Sequence, residues 1–116
     1  MIIERLIIAG GRDYHFDADD VEWLESLGEI KEVVDGGAAG ADREGAEFAY
    51  HRGIPTKRFN ADWKKNGVAA GPIRNREMAG YATALALFPG GKGSDSMKRE
   101  AEKAGIEIYE SPKRDR

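Results

Sequence analysis

Ala84-Leu85-Ala86-Leu87-Phe88-Pro89-Gly90-Gly91-Lys92-Gly93-Ser94 decides the fold. Its apolar half is long enough for a buried strand and stops at Pro89. Three glycines within four positions then lead to Ser94, a residue type that caps helix N-termini. A strand, a glycine-rich turn and a helix start follow one another, with the helix expected from Ser94 to Ala104. That order sets unobstructed backbone N–H groups beside the positive end of a helix dipole, an arrangement that suits an anion such as phosphate. Lys92 adds a positive charge and Ser94 a hydroxyl. Taken alone, the glycines are equally explained as a sharp turn.

The same grammar recurs upstream. Ile2 to Ala9 reads as a first strand closed by Gly10-Gly11, and the loop Arg12-Asp13-Tyr14-His15-Phe16 has the polar and aromatic content to hold a ligand. A helix follows Asp17 and runs to about Leu27, with Val21, Trp23, Leu24 and Leu27 inward and Gly28 as its stop. A second strand, Ile30 to Val34, gives way to Asp35-Gly36-Gly37-Ala38-Ala39-Gly40-Ala41-Asp42 and a helix over 41–52. Thr56 to Phe59 is a polar third strand suited to a sheet edge. Asn60 to Pro72 shows no periodicity and reads as a functional or mobile loop. Pro72 opens a helix over 72–81 with Arg74, Asn75 and Arg76 in its first turns, and Ile106 to Tyr109 is the last strand.

This alternation specifies an α/β domain with helices on both faces of about five parallel strands in the order 3-2-1-4-5. Ligands of such sheets bind at the carboxyl ends of the strands beside the point where the order reverses, here between strands 1 and 4. Gly10-Gly11-Arg12 and Pro89-Gly90-Gly91-Lys92-Gly93-Ser94 lie there, with Gly36-Gly37 adjacent. Three glycine turns on one rim turn a weak motif into an anion-site expectation.

Composition narrows the classes. A chain of 116 residues, 41% apolar and 34% charged, fits one globular domain over residues 1–110, followed by a polar basic tail at 111–116 expected to be a solvated end. There is no Cys, so disulfides, thiolate metal sites and cysteine nucleophiles are excluded. No apolar run is long enough to span a bilayer and no signal peptide is evident, so no membrane partner and a cytoplasmic location are expected. A net charge of −3 argues against broad nucleic-acid binding. It leaves room for a local basic cleft from Arg12, Lys64, Lys65, Arg74, Arg76 and Lys92.

Gly10-Gly11-Arg12-Asp13, Asp35 to Asp42, Ala70-Gly71-Pro72-Ile73-Arg74-Asn75-Arg76-Glu77-Met78 and Phe88 to Ser94 together resemble the SLOG superfamily of Rossmann-like domains. Within it the chain is similar to the YspA/YpsA-related group found in bacterial and phage genomes. The resemblance implies a single-domain Rossmann-like three-layer sandwich and a nucleotide-type ligand. The superfamily includes the Lonely Guy phosphoribohydrolases and the DNA-processing protein DprA. Those hydrolases bind a nucleoside monophosphate through an arginine and a Pro-Gly-Gly-x-Gly-Thr-x-x-Glu motif and cleave its N-glycosidic bond. Pro89, Gly90, Gly91 and Gly93 match, Ser94 stands in for Thr, and Arg74 matches the arginine. The glutamate's place holds Met97, which removes the carboxylate that glycosidic cleavage needs.

The expected ligand contacts are thus Gly10, Gly11, Arg12, Gly36, Gly37, Asp42, Trp63, Arg74, Asn75, Pro89, Gly90, Gly91, Lys92, Gly93 and Ser94. Trp63 either stacks on a base or covers the core edge. Asp42 either favours its helix dipole or accepts from a ribose hydroxyl. His15 can touch ligand from its loop, while His51 suits a helix C-terminus. No metal-ligand cluster is seen and no cofactor is required; Mg2+ could accompany a nucleotide, with Asp13, Asp35 or Asp42 as distant candidates to hold it. The reading is a nucleotide-binding sensor or accessory module. The alternatives are a phosphoribohydrolase whose acid is Glu77, Glu100 or Asp42, Arg74 being the one catalytic candidate, and a DprA-like DNA module. Homodimerisation through helix faces is compatible with all three.

Overall fold

Charge placed inside an apolar run bends it. In the computed structural model, which describes residues 1–114, the first strand divides at Glu4-Arg5 into β1 (Ile2–Ile3) and β2 (Leu6–Ala9). The second divides at Lys31-Glu32 into β3 (Glu29–Ile30) and β4 (Val33–Asp35). Register is kept across both breaks: Ile3 faces Ile30 and Leu6 faces Val33, with Lys31 N donating to Ile3 O and Leu6 N to Glu32 O, each at 2.9 Å. The expected strands are therefore one bent parallel pair. At the bend, Arg5 Nε donates to Tyr81 O at 2.6 Å.

The remaining elements are α1 (Ala18–Ser26), α2 (Ala41–His51), β5 (Thr56–Arg58), α3 (Trp63–Asn66), a 3-10 turn (Gly67–Ala69), α4 (Ala70–Tyr81), β6 (Ala84–Leu87), α5 (Lys92–Ala104) and β7 (Glu107–Glu110). The five-stranded sheet is all parallel in the order β5-β4-β2-β6-β7, the sequence-derived 3-2-1-4-5. Side chains alternate across it. Leu6, Ile8, Val33, Ala84, Ala86 and Phe88 pack under α1 and α2, while Ile7, Ala9, Val34, Leu85 and Leu87 pack under α4 and α5.

Three expectations change. Residues 60–72 are largely helical, because Asp62 accepts from Lys65 N at 3.1 Å and caps the single turn of α3, and α4 begins at Ala70, before Pro72. α5 begins at Lys92 with Gly91 as its N-cap, so Ser94 lies inside the first turn and is not the cap. The C-terminal segment is docked. Lys113 Nζ contacts Asp17 at 2.6 Å and Asp20 at 3.1 Å, and Arg114 Nη1 donates to Phe88 O at 2.9 Å. Asp115 and Arg116 of the expected solvated tail lie outside the described residues.

Candidate functional site

Backbone contact at the carboxyl edge of the sheet requires residues without side chains. The loops after β2 and β6 touch directly, with Gly11 N donating to Pro89 O at 2.8 Å. A Cβ on Gly90 would lie 2.0 Å from Ser94 Oγ and 2.6 Å from Gly11 N. The third glycine turn joins them through Ala41 N, which donates to Gly11 O at 3.1 Å. The three turns named from sequence therefore form one rim, beside the reversal of strand order between β2 and β6.

Two cavities open along this rim. The first, about 350 Å³, is bounded by the glycine turns and by the starts of α2, α4 and α5. The second, about 400 Å³, lies over the loops that follow β4 and β5. Arg12, Ala38, Trp63 and Arg74 line both, so the cavities adjoin.

Helix starts differ in how they are capped. α1, whose start is away from the cleft, is closed by a capping box between Asp17 and Asp20, and α3 is closed by Asp62. α2, α4 and α5 carry no side-chain cap. At α2 the first amide is taken by backbone, Ala41 N donating to Gly11 O, and α4 continues from the 3-10 turn, so α5 is the start whose first turn opens on the cleft without a cap.

Ser94 is 2% exposed, and its Oγ is the one fully buried side-chain polar atom without a hydrogen-bond partner among the described residues. Arg74 lies across the second glycine turn: Nη1 donates to Gly36 O at 2.5 Å and Nε to Asn75 Oδ1 at 3.0 Å. Asn75 is buried and fixed in turn by Nδ2 donating to Ser96 Oγ at 3.2 Å. Arg12, Arg74, Lys92 and Arg99 line the first cavity, and none forms an ion pair among the described residues. Against these four cations the lining contains a single carboxylate, Asp42. In a chain of net charge −3, that concentration of positive charge is local.

Asp42 is 8% exposed and accepts from Gly36 N at 3.0 Å. Burial pushes its carboxyl up to about 6, against the lowering effects of the Gly36 N–H and the nearby Arg74 guanidinium. Between the ordinary carboxylate value and 6 the folded protein holds a proton that the unfolded chain has released, so stability conferred by Asp42 falls as pH rises. Between pH 4 and pH 6 the loss is expected to be roughly 2 kcal/mol. Urea titrations of wild type and Asp42→Asn at both pH values check this: the difference between their stabilities should change by that amount, and parallel profiles would refute it.

Other sequence candidates divide. Gly10, Arg12, Asp42, Trp63, Arg74, Asn75, Lys92, Gly93 and Ser94 line the first cavity, and Gly36 and Gly37 the second. Gly11, Pro89 and Gly90 shape the rim from behind. A Cβ on Gly91 meets nothing within 4 Å, so the constrained glycine of this turn is Gly90. Tyr14 and Phe16 turn inward onto Phe88, with ring centroids 5.6 and 4.5 Å away. His15 pairs with Glu44 at 3.0 Å, outside the cleft. Asp35 is committed to Gly37 N at 2.8 Å and Arg58 Nε at 2.9 Å. Glu77 and Glu100 lie off both cavities, and Glu100 faces Lys103 at 3.6 Å. Met97 is buried and lines the first cavity. Among the described residues no group of three or more His, Cys, Asp or Glu is placed to hold a metal ion, and no helix is long and apolar enough to cross a membrane. Sequence reasoning did not name Ala38, Ser96 or Arg99 as lining, and it reached Asn60 and Ala61 only as the start of an aperiodic loop.

A doubly flanked parallel sheet with uncapped helix starts and glycine turns at its carboxyl edge defines a Rossmann-like α/β domain. The chain belongs to the YspA, cpYpsA-related SLOG family, whose model matches residues 4–66. It is 42% identical over 87 residues to the Gene 61 protein of Mycobacterium phage D29, covering 66% of this chain and 67% of that protein. A crystal structure described as a predicted subunit of tRNA methyltransferase from Methanocaldococcus jannaschii aligns over 95% of this chain and 67% of its own, at 15% identity and a TM-score of 0.43. SLOG membership suggests a nucleotide-related ligand.

Proposed function

We propose that this domain binds a nucleotide or a nucleotide-derived phosphate ester at the glycine-rich carboxyl edge of its sheet, as a sensor or accessory module. The observation that carries the reading is the unpartnered Ser94 hydroxyl inside the uncapped first turn of α5. A buried hydroxyl without a partner costs stability. Beside helix N–H groups and unpaired cations, a phosphate oxygen is the acceptor that relieves it.

Ser94→Ala tests this through two effects of opposite sign. In the free protein the variant should be about 1 kcal/mol more stable, because the orphan group is gone. Its affinity for AMP, measured by calorimetry, should drop about tenfold, the loss of one charge-assisted hydrogen bond. A variant that is less stable yet binds AMP normally would mark Ser94 as purely structural and remove the main support.

Asp42 favours a second reading, nucleoside 5′-monophosphate hydrolysis. It is the one carboxylate on the first cavity's wall, and a carboxyl titrating at about 6 suits acid–base work near neutrality. Release of free base from nucleoside monophosphates, lost in Asp42→Asn, separates this reading from binding alone.

A further inference from the structure

We propose that the second cavity is a nucleobase subsite, in which Trp63 stacks on the base and the Asn60 carboxamide reads an adenine edge. The inference rests on the nucleotide reading above and assigns the other half of that ligand.

The two cavities differ in chemistry. The first holds the buried hydroxyl and most of the cations; the second adds no charge of its own beyond the shared Arg12 and Arg74. Its wall over Gly36–Ala39 has only hydrogen or methyl side chains, and the Arg74 guanidinium packs over Gly36 and the Asn60 carboxamide over Gly37, so polar side chains edge the space beside Trp63. Trp63 stands where the cavities meet. It is 54% exposed, belongs to neither hydrophobic cluster, and rests near the start of α4, where a Cβ on Gly71 would lie 3.4 Å from its ring. An aromatic face that buries little against its own protein is a stacking platform, worth about tenfold or more in affinity per base.

Asn60 supplies the polar contact. A Cβ on Gly37, whose φ is +73°, would lie 3.0 Å from Asn60 Oδ1, so the carboxamide sits directly over that turn. The turn is itself fixed, with Asp35 Oδ1 accepting from Gly37 N at 2.8 Å and from Arg58 Nε at 2.9 Å. Among the described residues the Asn60 carboxamide has no hydrogen-bond partner of its own. It presents a donor and an acceptor side by side, the complement of the adenine amino group and its neighbouring ring nitrogen.

Calorimetric titration with AMP, GMP, CMP, UMP and ribose 5-phosphate tests the assignment. Wild type should bind AMP at least about tenfold tighter than ribose 5-phosphate and tighter than GMP. Trp63→Ala should erase the advantage of AMP over ribose 5-phosphate, and Asn60→Ala the advantage of AMP over GMP. Wild-type circular dichroism and urea midpoints show that both variants remain folded, and Asn60→Ala, which lines the second cavity and not the first, should keep wild-type affinity for ribose 5-phosphate. Equal binding of all five compounds by wild type, or an AMP preference that survives both substitutions, overturns the subsite and leaves the phosphate site standing. Failure of every compound to bind wild type removes the phosphate site as well, and the inference with it.

Discussion

Gly40→Ala is expected to destabilise the domain by about 4 kcal/mol or more, the upper end of single-substitution effects. Gly40 is the N-cap of α2 with φ 72° and ψ −128°, a region essentially closed to residues with a Cβ. Conformation is only half of the cost. A Cβ there would lie 2.1 Å from Gly11 O and 2.4 Å from the Arg12 carbonyl carbon and oxygen, all backbone atoms that no rotamer change can move aside. The turn would have to pull away from the β2 loop, breaking the bond from Ala41 N to Gly11 O and separating two of the three glycine turns. Gly53→Ala is the control. Its φ is also positive, at +66°, but a Cβ there meets nothing within 4 Å, so it should cost about 1 kcal/mol. Urea midpoints for both variants check the argument. A Gly40→Ala protein within 1 kcal/mol of wild type would mean that the rim is not held by this contact.

Sequence revealed the sheet because strand order is a global consequence of alternation and crossover handedness, which survive local errors. It did not reveal the breaks at Glu4-Arg5 and Lys31-Glu32, since a bend shared by two paired strands leaves the period of each piece intact. α3 escaped because one helical turn is too short to show periodicity; its signal was Asp62 three residues before Lys65, a capping pattern. The site was legible where chemistry is carried by residue type, in the glycines, Arg74 and Lys92. It was not legible where chemistry depends on burial: nothing in the sequence marks the Ser94 hydroxyl as unpartnered, or Arg99 as cavity lining. The loop that begins at Asn60 was marked by its lack of periodicity, but Asn60 itself was not placed on the carboxyl-edge list, although it follows the third strand and belonged there by the rule that selected the other turns.

Arg74→Ala is expected to weaken nucleotide binding about a hundredfold or more, a larger effect than any other single side-chain loss in the cleft. An arginine in the first turns of α4 gains nothing from its own helix dipole, so another interaction holds it there. Gly36 O and the Asn75 carboxamide supply it, and together they fix the plane of the guanidinium. The Nη2 group has no partner among the described residues, and Arg74 lines both cavities, so a positioned guanidinium keeps Nη2 available as a donor. A phosphate bound there would need no reorganisation of the side chain, and such preorganisation makes a charge-assisted contact strong. The substitution also strips Gly36 O of its donor, at a stability cost of about 1 kcal/mol, so affinity must be compared at a temperature where both proteins are folded. Arg74→Lys separates charge from geometry. Lysine restores the positive charge but cannot reproduce the planar fork, so it should recover only part of the lost affinity. Titration of AMP at fixed ionic strength decides the matter. Binding by Arg74→Ala within threefold of wild type would show that the anion is held elsewhere on the rim, whereas full recovery in Arg74→Lys would show that charge alone suffices.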